Sequence, residues 1–89
     1  MANTIWKFEV ELTTTQTVKI PENAEILTCQ LQDGKPHIWA KVNPEKPKEM
    51  RLIGMFGTGH PMPTMWKTKY ISTIQKDGFV WHFFELKSK

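Results

Sequence analysis

Two Asp-Gly dipeptides, each set between runs of alternating polar and apolar residues, constrain this chain more than any other feature of its sequence. Asp33-Gly34 separates a run that begins at Glu25 from the run 37–42, and Asp77-Gly78 separates 70–75 from 79–86. Asp-Gly between such runs is a strong signal for a two-residue hairpin turn, because both central positions of that turn have positive φ. The sequence therefore predicts two antiparallel hairpins.

Three further runs complete the pattern of strands. Residues 4–12 alternate, with Trp6, Phe8, Val10 and Leu12 expected on one face, and shorter runs cover 17–20 and 50–56. No stretch of ten residues carries a helical stripe, so little helix is expected. With 89 residues and no linker, the chain is predicted to form one all-β domain over residues 1–89, a small antiparallel sandwich or open barrel of about seven strands.

The last predicted strand is apolar on both faces. Phe79, Trp81 and Phe83 alternate with Val80, Phe84 and Leu86. Two apolar faces are typical of a central strand whose second face meets another sheet or another subunit. A chain this short is marginal in the core it can bury, and the single Cys29 cannot form an intrachain disulfide. We therefore expect a homo-oligomer, either a dimer or a tetramer.

Composition argues against several classes of function. The net charge of +3 is too small for a general binder of duplex nucleic acid, and no apolar run is long enough to span a bilayer. Three scattered histidines lack metal-ligand spacing, so neither a metal nor another cofactor is expected. No Ser/His/Asp or Cys/His arrangement has a suggestive spacing. The sequence thus favours a protein of the cytoplasm that is not an enzyme.

Positive charge is concentrated in the second half of the chain. Residues 1–49 contain six lysines and seven acids, whereas Met50 to Lys76 contain Arg51, Lys67, Lys69 and Lys76 and no carboxylate. Within this segment, Gly57-Thr58-Gly59-His60 follows a predicted strand. Glycines allow backbone N–H groups to converge on an anion, so this loop is a candidate phosphate cradle. The alternative is a tight loop in which the glycines only supply positive φ.

The candidate ligand-binding residues combine charge, hydrogen-bonding groups and flat aromatic rings. Arg51 could fork onto a phosphate, or form a salt bridge with Glu49 or Glu11 on the strand surface. Tryptophan rings can stack on purines, whereas His60 could bind phosphate or simply hydrogen-bond within the loop. The full set is Arg51, Gly57, Thr58, Gly59, His60, Trp66, Lys67, Tyr70 and Trp39.

Several short motifs, in a fixed order, resemble a known family. They are Thr4-Ile5-Trp6-Lys7-Phe8, Ile38-Trp39-Ala40, Val42-Asn43-Pro44, Gly57-Thr58-Gly59-His60-Pro61, Tyr70-Ile71 and the segment 79–85. Together they resemble a large family of small bacteriophage and prophage proteins that includes the anti-CBASS cyclic-nucleotide sponges. The segment 61–67 departs from the pattern of that family.

The resemblance implies an oligomeric immune-evasion protein of the host bacterial cytoplasm. Such a protein would sequester a cyclic dinucleotide, such as cyclic GMP-AMP, without cleaving it. From the residues alone, two other classes stay open. One is a non-enzymatic protein-binding β module that inhibits a host protein, and the other is a nuclease or phosphatase of unknown type.

Overall fold

The computed structural model describes residues 2–89 as seven antiparallel-paired strands with no helix among them. The strands are β1 (Thr4–Glu9), β2 (Thr15–Pro21), β3 (Glu25–Gln32), β4 (Lys35–Val42), β5 (Lys48–Gly57), β6 (Trp66–Lys76) and β7 (Phe79–Ser88). A three-stranded sheet has the order β1-β4-β3, and a four-stranded sheet has the order β2-β5-β7-β6. The two sheets pack face to face and do not close into a barrel, so the all-β prediction is confirmed.

Both predicted hairpins are present. Asp33 and Gly34 have φ of 52° and 79° between β3 and β4, and Asp77 and Gly78 have φ of 54° and 83° between β6 and β7. Positive φ at both central residues is what a turn between twisted antiparallel strands requires. The Asp-Gly pairs therefore set the register of the two strand pairings that they connect.

The core lies between the two sheets and contains one alternate set of residues from each strand. Ile38 on β4, Ile53 on β5 and Phe83 on β7 are fully buried in its largest cluster, together with Val10, Cys29, Met55 and Ile74. A second cluster of Ile20, Ala24, Ala40 and Val42 continues it, with Trp6 and Phe8 partly buried against it. The alternation read from the sequence thus places most core residues correctly.

Two details of the predicted alternation are wrong. The first strand ends at Glu9 rather than Leu12, and the Leu12 side chain is 38% exposed, because the chain leaves the first sheet after Val10. In the run that begins at Glu25, alternation places Leu27 on the same face as Cys29 and Leu31. On β3, however, a β-bulge lies between Ile26 and Thr28, so Ile26 packs on the core and Leu27 is exposed. One extra residue in a strand shifts the alternation by one, so the residues on its N-terminal side lie on the opposite face from the one that simple alternation predicts.

β7 lies between β5 and β6, as expected for a strand with two apolar faces. Trp81 and Phe83 contact the core, whereas Phe84 lies on the outer face of the sheet and meets Phe56 and Tyr70 edge to face, at ring-centroid distances of 6.1 and 5.4 Å. β5 and β6 both run antiparallel to β7 and are therefore parallel to each other. Residues 58–65, the crossover segment, connect them.

Candidate functional site

The crossover segment returns along the length of the four-stranded sheet. Gly57, before it, is paired with Trp81, and Trp66, after it, is paired with Ser88, which is roughly 23 Å further along β7 at strand spacing. Turns occupy residues 58–59 and 64–65 at the two ends of the segment, and residues 60–63 connect them. Pro61 and Pro63 restrict φ to values that suit an extended chain. The segment therefore forms one wall of the outer surface of this sheet.

A tight turn opens the crossover segment. The N–H of His60 donates to the carbonyl of Gly57 at 3.0 Å, and Gly59 has φ of 85°. A Cβ on Gly57 would lie 2.7 Å from Nδ1 of His60, so the imidazole packs directly on that glycine. Both glycines of the predicted phosphate cradle thus have a structural role, and the N–H of His60 is used within the turn.

Thr58 begins a chain of hydrogen bonds across the outer face of the sheet. Its Oγ1 lies 2.7 Å from Nε2 of His82, Nδ1 of His82 lies 3.0 Å from Oγ1 of Thr73, and that oxygen lies 2.7 Å from the hydroxyl of Tyr70. A hydroxyl beside an imidazole resembles a nucleophile with its base. The second imidazole nitrogen meets a hydroxyl and not a carboxylate, so this chain of side chains lacks the acid of a catalytic triad.

A cavity of about 490 Å³ lies beside the crossover segment, and we call it the aromatic cavity. His60, Pro61 and Pro63 line it from the crossover segment, and Phe56, Trp66, Trp81 and Leu86 line it from the sheet. Thr13, Thr14 and Thr15 add hydroxyl and backbone groups at one side. No lysine, arginine or carboxylate among residues 2–89 borders this cavity. Its volume falls within the range of small-molecule sites.

A second cavity of about 650 Å³, the charged cavity, adjoins the first. Trp66 and Leu86 line both. The charged residues that line the second cavity are Glu25, Glu49, Arg51, Lys69, Glu85 and Lys87. The two cavities share Trp66 and Leu86 as a wall, and we call the pair of cavities the bipartite groove, with an aromatic half and a charged half.

Arg51 forms an ion pair with Glu85 at the floor of the charged cavity. Its Nε donates to one carboxylate oxygen of Glu85, its Nη2 donates to the other at 2.9 Å, and its Nη1 donates to the carbonyl of Ala24 at 2.9 Å. The hydrogen bond to Arg51 lowers the pKa of Glu85, against the opposing effect of burial. The same hydrogen bond raises the pKa of Arg51.

The ion pair changes the role expected for Arg51. Its main carboxylate partner is Glu85 rather than Glu11, and Glu49 is 4.0 Å away. The fork of the guanidinium is held by Glu85 and Ala24, so it does not point freely at a ligand. Arg51 also precedes Gly57 by six residues of one strand, which is roughly 20 Å, so the two ends of the predicted site do not meet on one phosphate.

Lys69 and Lys87 supply the free positive charge of the groove. Both side chains line the charged cavity, and within residues 2–89 neither lies within ion-pair distance of a carboxylate. Lys67 pairs in register with Lys87 across β6 and β7, which places a third exposed lysine nearby. The positive region predicted for this half of the chain is therefore formed by β6 and β7 and not by the glycine loop.

The predicted site residues thus fall into four places, of which the first is the charged cavity, with Arg51 in its lining and Lys67 nearby. Gly57, His60 and Trp66 border the aromatic cavity, while Thr58 and Tyr70 bond to the hydroxyl–imidazole chain beside it. Trp39 lies away from both groups, on the outer face of the three-stranded sheet, where its ring centroid is 5.8 Å from that of His37.

Sequence reasoning missed Glu85, Trp81 and Phe56 as parts of the groove. The segment without carboxylates runs from Met50 to Lys76, so Glu85 lies outside it. Trp81 and Phe56 were readable only as core or interface residues, because their neighbours in the groove come from distant parts of the chain.

Comparison with protein-family models matches residues 1–89 to a family described as a domain of unknown function, DUF7352. The chain belongs to this DUF7352 family. No curated protein and no solved structure matches it. Within residues 2–89 this DUF7352 domain has no helix long and apolar enough to cross a membrane, and no group of three or more His, Cys, Asp or Glu side chains arranged to hold a metal ion.

Proposed function

We propose that this chain is a non-enzymatic binding protein that sequesters a cyclic dinucleotide, such as cyclic GMP-AMP, in the bipartite groove. The observation that carries the proposal is the shared wall of the groove. Trp66 borders an aromatic cavity on one side and a cavity with two free lysines on the other. A cyclic dinucleotide has the matching division, since its bases are flat and apolar on their faces and its phosphates are anionic.

The aromatic half suits a nucleobase. Stacking on an aromatic side chain contributes about 1–3 kcal/mol per base, and every base offers a π face for it. Trp66 is half-buried and Trp81 lines the same cavity, so an incoming base meets rings that are already positioned. The hydroxyls of Thr13, Thr14 and Thr15 offer hydrogen-bond partners at the edge of such a base.

The charged half suits phosphate through Lys69 and Lys87. Arg51 is paired with Glu85, and Glu25 with Lys41. Lys69 and Lys87 then face Glu49 as the other charged residue that lines this cavity, which leaves a net positive charge of about one for an anion. The number of phosphates they can meet is therefore small. We expect the affinity to fall as salt rises, with a much shallower slope than for a protein that binds duplex nucleic acid.

The resemblance to small phage proteins supports a biological role for such binding. Removal of a signalling nucleotide from the cytoplasm of a host bacterium would protect a phage from the immune effectors that the nucleotide activates. Sequestration requires no catalytic group. The Thr58–His82 pair lacks a carboxylate to stabilise an imidazolium, which favours retention of the ligand over its cleavage.

The test is a recovery experiment with cyclic GMP-AMP. Protein and nucleotide are mixed, free nucleotide is removed by filtration, the protein is denatured by heat, and the released molecules are identified by mass spectrometry. We expect intact cyclic GMP-AMP. A linear dinucleotide or mononucleotides would show an enzyme instead. If no nucleotide is retained, the alternative of a β module that binds and inhibits a host protein takes the place of this proposal.

Two tryptophan variants place the ligand on the structure. Trp66→Ala removes the wall that both cavities share and is expected to weaken binding on the order of tenfold to a hundredfold, as the loss of one stacked ring does. Trp39→Ala is the matched control, because it removes the same side chain from the outer face of the other sheet. Calorimetry that showed equal losses for the two variants, or a loss for Trp39→Ala alone, would contradict a site in the groove.

A further inference from the structure

β1 is an edge strand whose outward backbone groups have no partner. The N–H of Val10 donates to the carbonyl of Pro36 at 3.1 Å, in the same register that pairs Phe8 with Ile38. In an antiparallel pair, alternate residues exchange hydrogen bonds with the neighbouring strand. The even-numbered residues of β1 therefore bond to β4. The N–H and C=O groups of Ile5, Lys7 and Glu9 point away from the sheet, and no residue from 2 to 89 bonds to them.

The open edge has a defined end. Glu11 would be the next outward residue, and its N–H and C=O groups are both bonded by the side-chain amide of Gln16, at 3.0 and 2.7 Å. The amide occupies the two groups that an added strand would use at that position. The edge that is open to an added strand therefore contains three residues with outward backbone groups, namely Ile5, Lys7 and Glu9.

Lys7 and Glu9, within this edge, carry opposite charges that are unpaired in the isolated chain. The Nζ of Lys7 donates to Oε1 of Gln32, a neutral acceptor, at 2.6 Å. Within residues 2–89 neither Lys7 nor Glu9 forms an ion pair. A strand with a lysine and a glutamate two residues apart is complementary to an antiparallel copy of itself.

We propose that β1 pairs with β1 of a second copy of this chain, in the antiparallel register that sets Lys7 opposite Glu9 and Phe8 opposite Phe8. In this register the outward groups of Lys7 and Glu9 bond to those of the second copy, and two Lys–Glu pairs form, related by a two-fold axis. The register that sets Lys7 opposite Lys7 would also bond the outward groups of Ile5 to those of Glu9, but it faces two lysines and forms no acid–base pair. Charge therefore selects the first register, and the three-stranded sheets of the two copies join into one.

The apolar surface near this edge favours the same pairing. Trp6 and Phe8 are half-buried, with ring centroids 6.5 Å apart, and Ile5 is 58% exposed. Of the three other edge strands, β3 and β6 meet each other at the hydrogen bond between Cys29 and Ser72, and the remaining one is β2. It contains Lys19 and Pro21 and no acid, and its outward residues Thr15, Thr17 and Lys19 present no exposed apolar side chain. Lysine and proline on an edge oppose strand addition. The β1 edge thus combines free backbone, complementary charge and apolar surface.

A charge-exchange experiment tests the pairing. The mass in solution is measured by light scattering and sedimentation for the parent chain, for Lys7→Glu and for Glu9→Lys. We expect the parent to form a dimer of twice the 10.4 kDa chain mass. Each single variant faces like charges at both pairs and is expected to dimerise at least roughly tenfold more weakly.

Mixing the two single variants restores complementary charge. The Lys7→Glu chain then carries two glutamates on this edge and the Glu9→Lys chain carries two lysines, so each of the two cross-strand pairs again joins an acid to a base. A heterodimer should therefore form with an affinity close to that of the parent. Recovery in the mixture would show that the single variants are folded and that charge at these two positions controls the pairing.

Lys19→Glu on the β2 edge is the control, and it is expected to leave the mass unchanged. Hydrogen exchange should show slow amides at Lys7 and Glu9 in the dimer and fast ones at the same two positions in the single variants. A parent that stays a monomer at high micromolar concentration overturns the proposal. So does a dimer that both single variants retain at full strength, or one that Lys19→Glu dissociates. None of these measurements involves a nucleotide, so they stand apart from the test of the binding groove.

Discussion

The side chain of Ser72 joins the two sheets by accepting a hydrogen bond from the backbone N–H of Cys29, at 2.9 Å. Cys29 is on β3, at the edge of the three-stranded sheet, and Ser72 follows a bulge in β6, at the edge of the four-stranded sheet. The Ser72 hydroxyl also lies 2.7 Å from that of Thr28. The Ser72 side chain thus supplies a hydrogen-bond acceptor for a backbone N–H at a sheet edge where no neighbouring strand can supply one.

Ser72→Ala should leave the buried N–H of Cys29 without a partner. We expect a loss of about 1–3 kcal/mol in the free energy of unfolding, which is the usual cost of an unsatisfied buried donor. Thr28→Ala is the control, because it removes a hydroxyl from the same cluster and leaves the N–H of Cys29 bonded. Denaturant unfolding should rank Ser72→Ala as clearly the more damaging. Equal losses would mean that the N–H finds water or another acceptor.

The Arg51–Glu85 pair should behave as a buried ion pair. Either single substitution, Arg51→Met or Glu85→Leu, leaves one charge in a site where the side chains are 13% and 5% exposed, and is expected to cost about 3–5 kcal/mol. The double variant should be more stable than either single variant, since it leaves no unpaired charge. Lys41→Met, at the exposed Lys41–Glu25 pair, is the control and should change stability by less than about 1 kcal/mol.

Stability should fall in acid through Glu85. The folded-state pKa of Glu85 lies below that of an unfolded chain, because its carboxylate accepts hydrogen bonds from Arg51. The stabilisation is therefore complete above the ordinary glutamate pKa of about 4.3 and is lost as the pH falls through the lower folded value. Thermal unfolding between pH 6 and pH 2 should show this loss in the parent, and a flatter profile in Glu85→Gln. Parallel profiles would assign the acid sensitivity to other carboxylates.

Cys29 should be inert in the folded protein. Burial raises the pKa of its thiol to about 12, and the side chain is fully buried in the core. The thiolate is the reactive form, so almost none of it is present at pH 8. A thiol reagent should label the denatured chain at once and the native chain only as fast as it opens. Rapid labelling of the native chain at pH 8 would contradict the buried placement.

The fold could be predicted from the sequence because it depends on neighbouring residues, whereas the site depends on contacts between residues that are far apart in the chain. The Asp-Gly turns and the alternation depend on neighbouring residues, so they predicted both hairpins, seven strands and most of the core. The bulge at Ile26/Thr28 left no trace in residue type. The ion pair of Arg51 with Glu85 depends on the register of β5 with β7, and the joining of two cavities at Trp66 depends on the path of the crossover segment. Neither can be deduced from spacing along the chain.

The place of β7 between β5 and β6 has a consequence for synthesis of the protein. A ribosome makes β5 and β6 before β7, yet these two strands have no hydrogen bond to each other and meet only through the strand that follows them. Until residues 79–88 leave the exit tunnel, the nascent chain can complete the first sheet but not the second. We therefore expect the four-stranded sheet to form only once β7 is available, with the hydrophobic faces of β5 and β6 open to chaperones until that strand inserts.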